Sequence, residues 1–364
     1  MIPFSMIVYL GCYTDETHPN GLKALQLDEK SGAMAIVAEY PVSNALYQAL
    51  SPDGKWLYSC TGEGLDAFRC QASGVGSQDV LDKCDDVKLG NCVCHVAVMP
   101  DGKRVVFADY LGGFAGSVAV ESDKFGEPVI HRHVGSGPNL PRQNSAHCHQ
   151  ATPLPDGSGY AVCDLGLDEI VEYPSGRVFK TTPAGAGPRH LLFHPNGRLA
   201  FLVSELGNLI TTLSWSSNEG FRTLDTLSTL ENPVNLVNPV QNSKGANLAA
   251  AIRFTPDGKR VVVSNRGENS LVVYDFDDST GRMCFKARTL LPGSWPRDFV
   301  FVSSTLALVA MERSGEVHAL RYDPDSGTFT RLSTLSGLFR PVALLPRNPM
   351  PYIIAWGTVP IGDK

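Results

Sequence analysis

One phrase recurs along this chain and restricts what it can fold into. It is a short apolar run, then Pro-(Asp/Asn)-Gly, often Lys or Arg, then a second apolar run. It occurs at 50–59, 98–107, 153–162, 193–202 and 254–263. Each copy reads as a β-hairpin: Pro sets the turn entry, Asp or Asn bonds the local backbone, and Gly takes the positive φ. The flanks are β-branched and aromatic, as strands prefer. The prolines, Pro52, Pro100, Pro155, Pro195 and Pro256, are 48, 55, 40 and 61 residues apart. Their mean spacing of 51 divides the 364 residues into about seven units. A third strand follows several copies, at 209–215, 271–276 and 317–322, and no segment keeps a helical apolar period. Four short strands per unit, about seven times over, predict an all-β, seven-bladed β-propeller over residues 1–364 as a single domain. A large β-sandwich would leave the fixed phase of the turn phrase unexplained.

Two units lack the phrase. Segments 295–301 and 305–310 match its flanks, with Ser303-Ser304 as the turn. The remaining unit is expected to be split between the chain ends. Its strands would come from 6–13 and from either 342–345 or 352–355, closing the ring and removing an exposed edge. In the N-terminal part, 6–10 reads as a strand and Gly11 as the start of its turn.

The repeat also supplies a coordinate system. Take the turn residues Asp53, Asp101, Asp156, Asn196 and Asp257 as zero. In an antiparallel hairpin, the start of the first strand and the end of the second lie at one end. Seven before zero stand Leu46, Cys94, His149, Arg189 and Ala250, and in a weaker register Arg297. Nine after stand Gly62, Tyr110, Leu165, Glu205 and Arg266, with Glu312 or Arg313 in the last unit. The first strand of a propeller blade is usually innermost, so these side chains are expected around one mouth of a central channel. An imidazole, a carboxylate and several guanidiniums there suit an anionic substrate and acid–base chemistry. The bland alternative is that Glu205 only pairs with Arg189 or Arg266 to fasten neighbouring blades. His95, one residue beyond the phase position, reads as a loop histidine or a binding residue.

Composition removes other classes. The formal charge is −6, against the basic balance of a nucleic-acid binder. No apolar run is long enough to span a bilayer. The nine cysteines are odd in number and irregular in spacing, which fits reduced thiols in the cytoplasm better than a disulfide scaffold. Cys92-x-Cys94, His131-x-His133 and His147-x-His149 have spacings compatible with metal binding, but no second cysteine pair and no evident carboxylate completes a site. The reading is therefore no metal. No Gly-x-Ser-x-Gly elbow and no phosphate loop is present.

The phrases AHCHQATPLPDG (146–157), GPRHLLFHPNGRLAFLVSEL (187–206) and IRFTPDGKRVVVSNRGENSLVVYDFD (252–277), with WPRDFVF (295–301) and CHVAVMPDG (94–102), carry a resemblance. The chain resembles the lactonase family of seven-bladed β-propellers, which includes cofactor-free bacterial 6-phosphogluconolactonases and fungal carboxy-cis,cis-muconate lactonising enzymes. The resemblance implies a ring closed by both chain ends and no cofactor. It places the family's proposed active-site His on His149, its arginines on Arg189 and Arg266, and its Glu on Glu205. The phase argument selects the same four. Substrate contacts are expected from Arg297, His95, Tyr110 and, through the Ser-Asn-Arg-Gly phrase, Asn265. The chain departs from the family's phrases at Cys12, at Cys60-Thr61 and at Met311-Glu312, and the His/Arg/Glu/Arg set stays intact.

The expected function is hydrolysis of an anionic sugar lactone, with 6-phosphogluconolactone first among them. Two alternatives carry weight: a muconate-type cycloisomerase using the same groups, and a non-catalytic propeller that binds protein partners. The expected partner is the small lactone alone, with no nucleic acid and no membrane; a monomer suffices. The four site residues are expected to lie outside the core, so that folding survives their replacement.

Overall fold

The computed structural model describes residues 5–71, 81–121, 124–231 and 247–348. These residues form seven four-stranded sheets with antiparallel neighbours. In six sheets the four strands are consecutive in the chain. The first blade is composite: Pro341–Pro346 pairs with Ser5–Cys12, followed by Leu22–Asp28 and Met34–Tyr40. The C-terminal 342–345 segment thus closes the ring, and 352–355 lies outside the described residues. The inner strands touch in turn around the ring: Gln48–Leu50, Val93–Val98, Cys148–Pro153, Pro188–Phe193, Leu248–Phe254, Pro296–Phe301 and Pro341–Pro346. They enclose a central channel.

The turn chemistry is that of the repeated phrase. Gly54, Gly102, Gly157, Gly197 and Gly258 all have φ between 67° and 72°. Each preceding Asp or Asn accepts the backbone N–H two residues on, at 2.9–3.2 Å. The hydrophobic core is divided in the same way. Seven buried clusters each lie chiefly between two adjacent blades. Phe201 and Ile210 of the fifth blade, for example, pack on Val263 and Tyr274 of the sixth. Both faces of the inner strands are therefore covered, and strands such as Leu199–Ser204 and Leu306–Met311 read as near-continuous apolar runs, while outermost strands such as Leu81–Lys88 and Lys124–Arg132 stay largely exposed. Among the described residues, no helix is long and apolar enough to cross a membrane.

Gly11 is not a turn residue. It lies within Ser5–Cys12, opposite Leu22 on one side and Ala343 on the other. A Cβ there would collide with the Ala45 carbonyl oxygen. Glycine lets the first blade approach the second closely. Gly11→Ala is expected to lower stability by ~1–3 kcal/mol, the usual effect of overpacking. An unchanged denaturation midpoint would contradict the close approach.

Candidate active site

Six inner strands carry a β-bulge, the closing strand at Val342 and five others at the level of the phase position. In those five the register slips between Val93 and His95, Cys148 and Gln150, Pro188 and His190, Ala249 and Ile252, and Pro296 and Asp298. The residues left over are Cys94, His149, Arg189, Ala250 with Ala251, and Arg297. These are the positions seven before the turn. A bulge breaks the strand's alternation and re-aims a side chain. The facing strand ends there too: the Glu205 N–H donates to the Gly187 carbonyl at 2.8 Å, and the Glu312 N–H to the Trp295 carbonyl at 2.9 Å.

Glu205 is the hub. Its Oε2 accepts from Arg189 Nε at 3.0 Å and is paired with Arg266 at 2.6 Å. Its Oε1 accepts from Arg142 at 2.6 Å. Burial opposes ionisation of this carboxyl, but Arg266, Arg189 and Arg142 outweigh it and hold it well below the usual range. Arg189 is fixed further by donating to the Ala250 carbonyl, and Arg266 by donating to those of Leu248 and Ala249. Burial, then the neighbouring Arg266, push Arg189 down to about 9, so it is charged at neutral pH. The expectation that these residues lie outside the core needs correction. Glu205, Arg189, Arg266 and His149 are all buried.

A second carboxylate sits on the same mouth. Glu312, one of the departures from the family's phrases, accepts from Arg297 at 3.0 Å and from Arg340 at 2.5 Å. Both guanidiniums lie over the Tyr13 ring. Burial opposes ionisation of Glu312, yet Arg297 and Arg340 keep it below the ordinary carboxylate value. Burial, and after it the neighbouring Arg297, push Arg266 down against the pull of Glu205, so the two clusters share one field. The Arg313 guanidinium lies over the Trp295 ring, 3.3 Å from its centroid.

His149 lies beside this field, edge-on to Tyr110 and to His190. Burial first, then Arg189, push its pKa well down, so its ring is neutral at pH 7. Its Nδ1 is buried without a hydrogen-bond partner. Tyr110 reaches the site as well: its hydroxyl accepts from Arg142 at 3.1 Å and its ring stacks on His147. His95 lies one level deeper, stacked on Tyr47 and edge-on to His190. Arg253 bridges the Tyr47 hydroxyl and Asp298, and Asp298 also accepts the Leu344 N–H of the closing strand. Beyond this layer, a cavity of about 160 Å³ continues toward the turn face, walled by Leu50, Val98, Leu192 and Phe254.

Asn265 is not at the mouth. Its side chain is fully buried, donating to the Thr229 carbonyl and to Ser270, because it alternates with Arg266 along one strand. One histidine of each His-x-His pair is hydrogen-bonded within the protein. His147 Nδ1 meets the Tyr110 carbonyl. His133 does have a carboxylate partner, Asp164 at 2.7 Å, and its other nitrogen meets the Tyr173 hydroxyl. Cys148 lies next to Asp164, within metal-ligand reach of both. Asp164 already accepts three backbone N–H groups, from His147, Gly166 and Leu167, so this set is satisfied as it stands.

Sequence reasoning missed Arg142 and Arg340. Neither belongs to a hairpin with the turn phrase, so neither has a phase. Arg142 comes from the long connection before the fourth blade. Arg340 immediately precedes the closing strand, and that adjacency was the one available signal.

The family described as "Lactonase, 7-bladed beta-propeller" matches residues 7–345. A Lactococcus lactis protein without assigned function is 32% identical over 342 residues, covering 89% of this chain and 94% of the relative. A Bacillus subtilis 6-phosphogluconolactonase is 29% identical over 352 residues, covering 93% and 97%. Among solved structures, the periplasmic gluconolactonase of Pseudomonas aeruginosa superposes with a TM-score of 0.83 at 24% identity, over 94% of this chain and 99% of that one.

Proposed function

Since this chain belongs to the lactonase family of seven-bladed β-propellers, we propose that it hydrolyses 6-phosphogluconolactone at the channel mouth built around Glu205. The observation that carries this reading is a charge excess. Five guanidiniums, from Arg142, Arg189, Arg266, Arg297 and Arg340, share two carboxylates, Glu205 and Glu312. A net positive mouth on a chain of charge −6 selects an anionic small molecule. The Bacillus subtilis relative named as a 6-phosphogluconolactonase supports phosphate as the anionic group.

Lactone opening needs a base for water and donors for the oxyanion. Glu205 is ionised and takes the water proton. The water oxygen bonds to the lactone carbonyl carbon, the ring C–O bond breaks, and the ring oxygen leaves with a proton. His149, neutral and with a free ring nitrogen, hands on that proton. Arg189 and Arg266 are held rigidly by backbone carbonyls and stabilise the developing oxyanion, where one fixed donor is worth roughly 10²–10³ in rate. Arg142 and Arg340, the two most exposed guanidiniums of the mouth, hold the phosphate end of the substrate as planar forks, with Arg297 behind them on Glu312. None of these steps calls on a metal. The nine free thiols, most of them buried, support a reducing compartment such as the cytoplasm.

The test is side-by-side turnover of 6-phosphogluconolactone, gluconolactone and carboxymuconate, with and without a chelator. The phosphorylated lactone is expected to open fastest, at equal rates with chelator. Conversion of carboxymuconate alone would replace this reading by the cycloisomerase.

A further inference from the structure

Glu205 has two unlike oxygens. Oε2 is held by Arg189 and Arg266, whose side chains are 4% and 5% exposed and which are anchored on backbone carbonyls. Oε1 is covered by Arg142, whose side chain is 38% exposed. The one further contact of that guanidinium among the described residues is the Tyr110 hydroxyl at 3.1 Å, a neutral acceptor. Arg142 is thus the solvent-facing member of the three and the only one on Oε1. A carboxylate oxygen occupied by a guanidinium is a poor proton acceptor. The resting site therefore has its base masked, and the mask is the cation that an incoming anion meets first.

Resting on the lactone reading, we propose that Arg142 is a substrate-operated gate: the phosphate of the bound lactone draws its guanidinium off Glu205, and the uncovered Oε1 then accepts the proton of the attacking water. The exchange is chemically even. Arg142 trades a carboxylate and a phenol for a phosphate dianion, which accepts its fork in the same bidentate manner. The proton taken by Oε1 leaves with the ring oxygen, so Glu205 is again a carboxylate when the product departs and Arg142 returns. A neutral lactone cannot move Arg142, so the gate selects for the phosphorylated substrate in kcat as well as in KM.

The test compares the wild-type chain with Arg142→Gln and Arg142→Lys on 6-phosphogluconolactone and on neutral gluconolactone, with and without inorganic phosphate. Arg142→Gln is expected to raise KM for the phosphorylated lactone ~10-fold or more, the size of one charge-assisted hydrogen bond, while kcat on the neutral lactone rises. Inorganic phosphate is expected to accelerate the wild type on the neutral lactone and to leave Arg142→Gln unchanged. Arg142→Lys should recover part of the KM. An equal loss on both substrates in Arg142→Gln, or no acceleration by phosphate, overturns the gate. A crystal of the wild-type chain soaked in inorganic phosphate decides the matter without turnover. Arg142 on the phosphate and away from Oε1 supports the gate; Arg142 still on Glu205, with or without phosphate nearby, overturns it. Failure of the wild type to open either lactone sinks the lactone reading instead, and the crystal still answers for Arg142.

Discussion

Glu205→Gln is expected to lower kcat on the phosphorylated lactone by at least ~10²-fold, and His149→Ala by a similar factor, the usual contribution of a positioned acid or base. The amide keeps the shape of Glu205 but cannot accept the water proton. It also leaves Arg189 and Arg266, both buried, without the charge that compensates them. Removing one partner of a buried ion pair typically destabilises by about 3–5 kcal/mol, so the loss of rate must be read on a sample shown to be folded. His149→Ala removes a ring that is neutral and makes no ion pair, so its effect on stability should be smaller and its kinetic effect cleaner. Wild-type kcat in both variants would remove the acid–base assignment.

Acidification is expected to unfold the protein steeply below about pH 6. Three histidines line the channel and are buried neutral. Burial, helped by Arg253 and Arg189, pushes His95 down to about 3. Burial, then Arg189, push His149 and His190 well below the usual value. In the unfolded chain all three titrate near 6.5. Below that pH the unfolded state binds protons that the folded state refuses, so stability falls as pH falls. One such group contributes ~1.4 kcal/mol per pH unit, and three contribute about 4. Glu205 acts in the same direction at lower pH. Its folded pKa is depressed, so its stabilisation is complete above the unfolded value of about 4.3 and is lost on the way down to the folded one. Denaturant titrations at pH 7.5, 6 and 5 measure this slope, and His190→Asn should flatten it by about one group's share. A stability that is level from pH 7.5 to 5 would mean that the channel histidines charge freely.

The fold was legible because each blade repeats one turn. Pro, then Asp or Asn, then Gly at φ near 70° is a local requirement that no tertiary contact overrides, and five copies set the period. The same phase reached His149, Arg189, Glu205 and Arg266, because the hairpin ends are rigidly related to the turn. What the phase could not convey was the bulge. An extra residue in the inner strand is invisible to an apolar pattern when both faces of the sheet are buried. Alternation also misplaced Asn265: it was grouped with Arg266 by sequence adjacency, yet neighbours on a strand face opposite ways. Gly11 read as a turn because a glycine after an apolar run commonly is one; the reason for it here is a contact with Ala45, 34 residues away. Arg142 and Arg340 come from connections whose course depends on the assembled ring.

The central claim is that an anionic sugar lactone opens at the mouth around Glu205, and the most direct measurement is a crystal structure of the protein with the product 6-phosphogluconate bound. The account predicts the new carboxylate within hydrogen-bond reach of Arg189 or Arg266 and near His149, with the phosphate on the exposed guanidiniums of the same mouth. Product lodged in the turn-face cavity beyond His95 and His190, or anywhere off the channel axis, would contradict it.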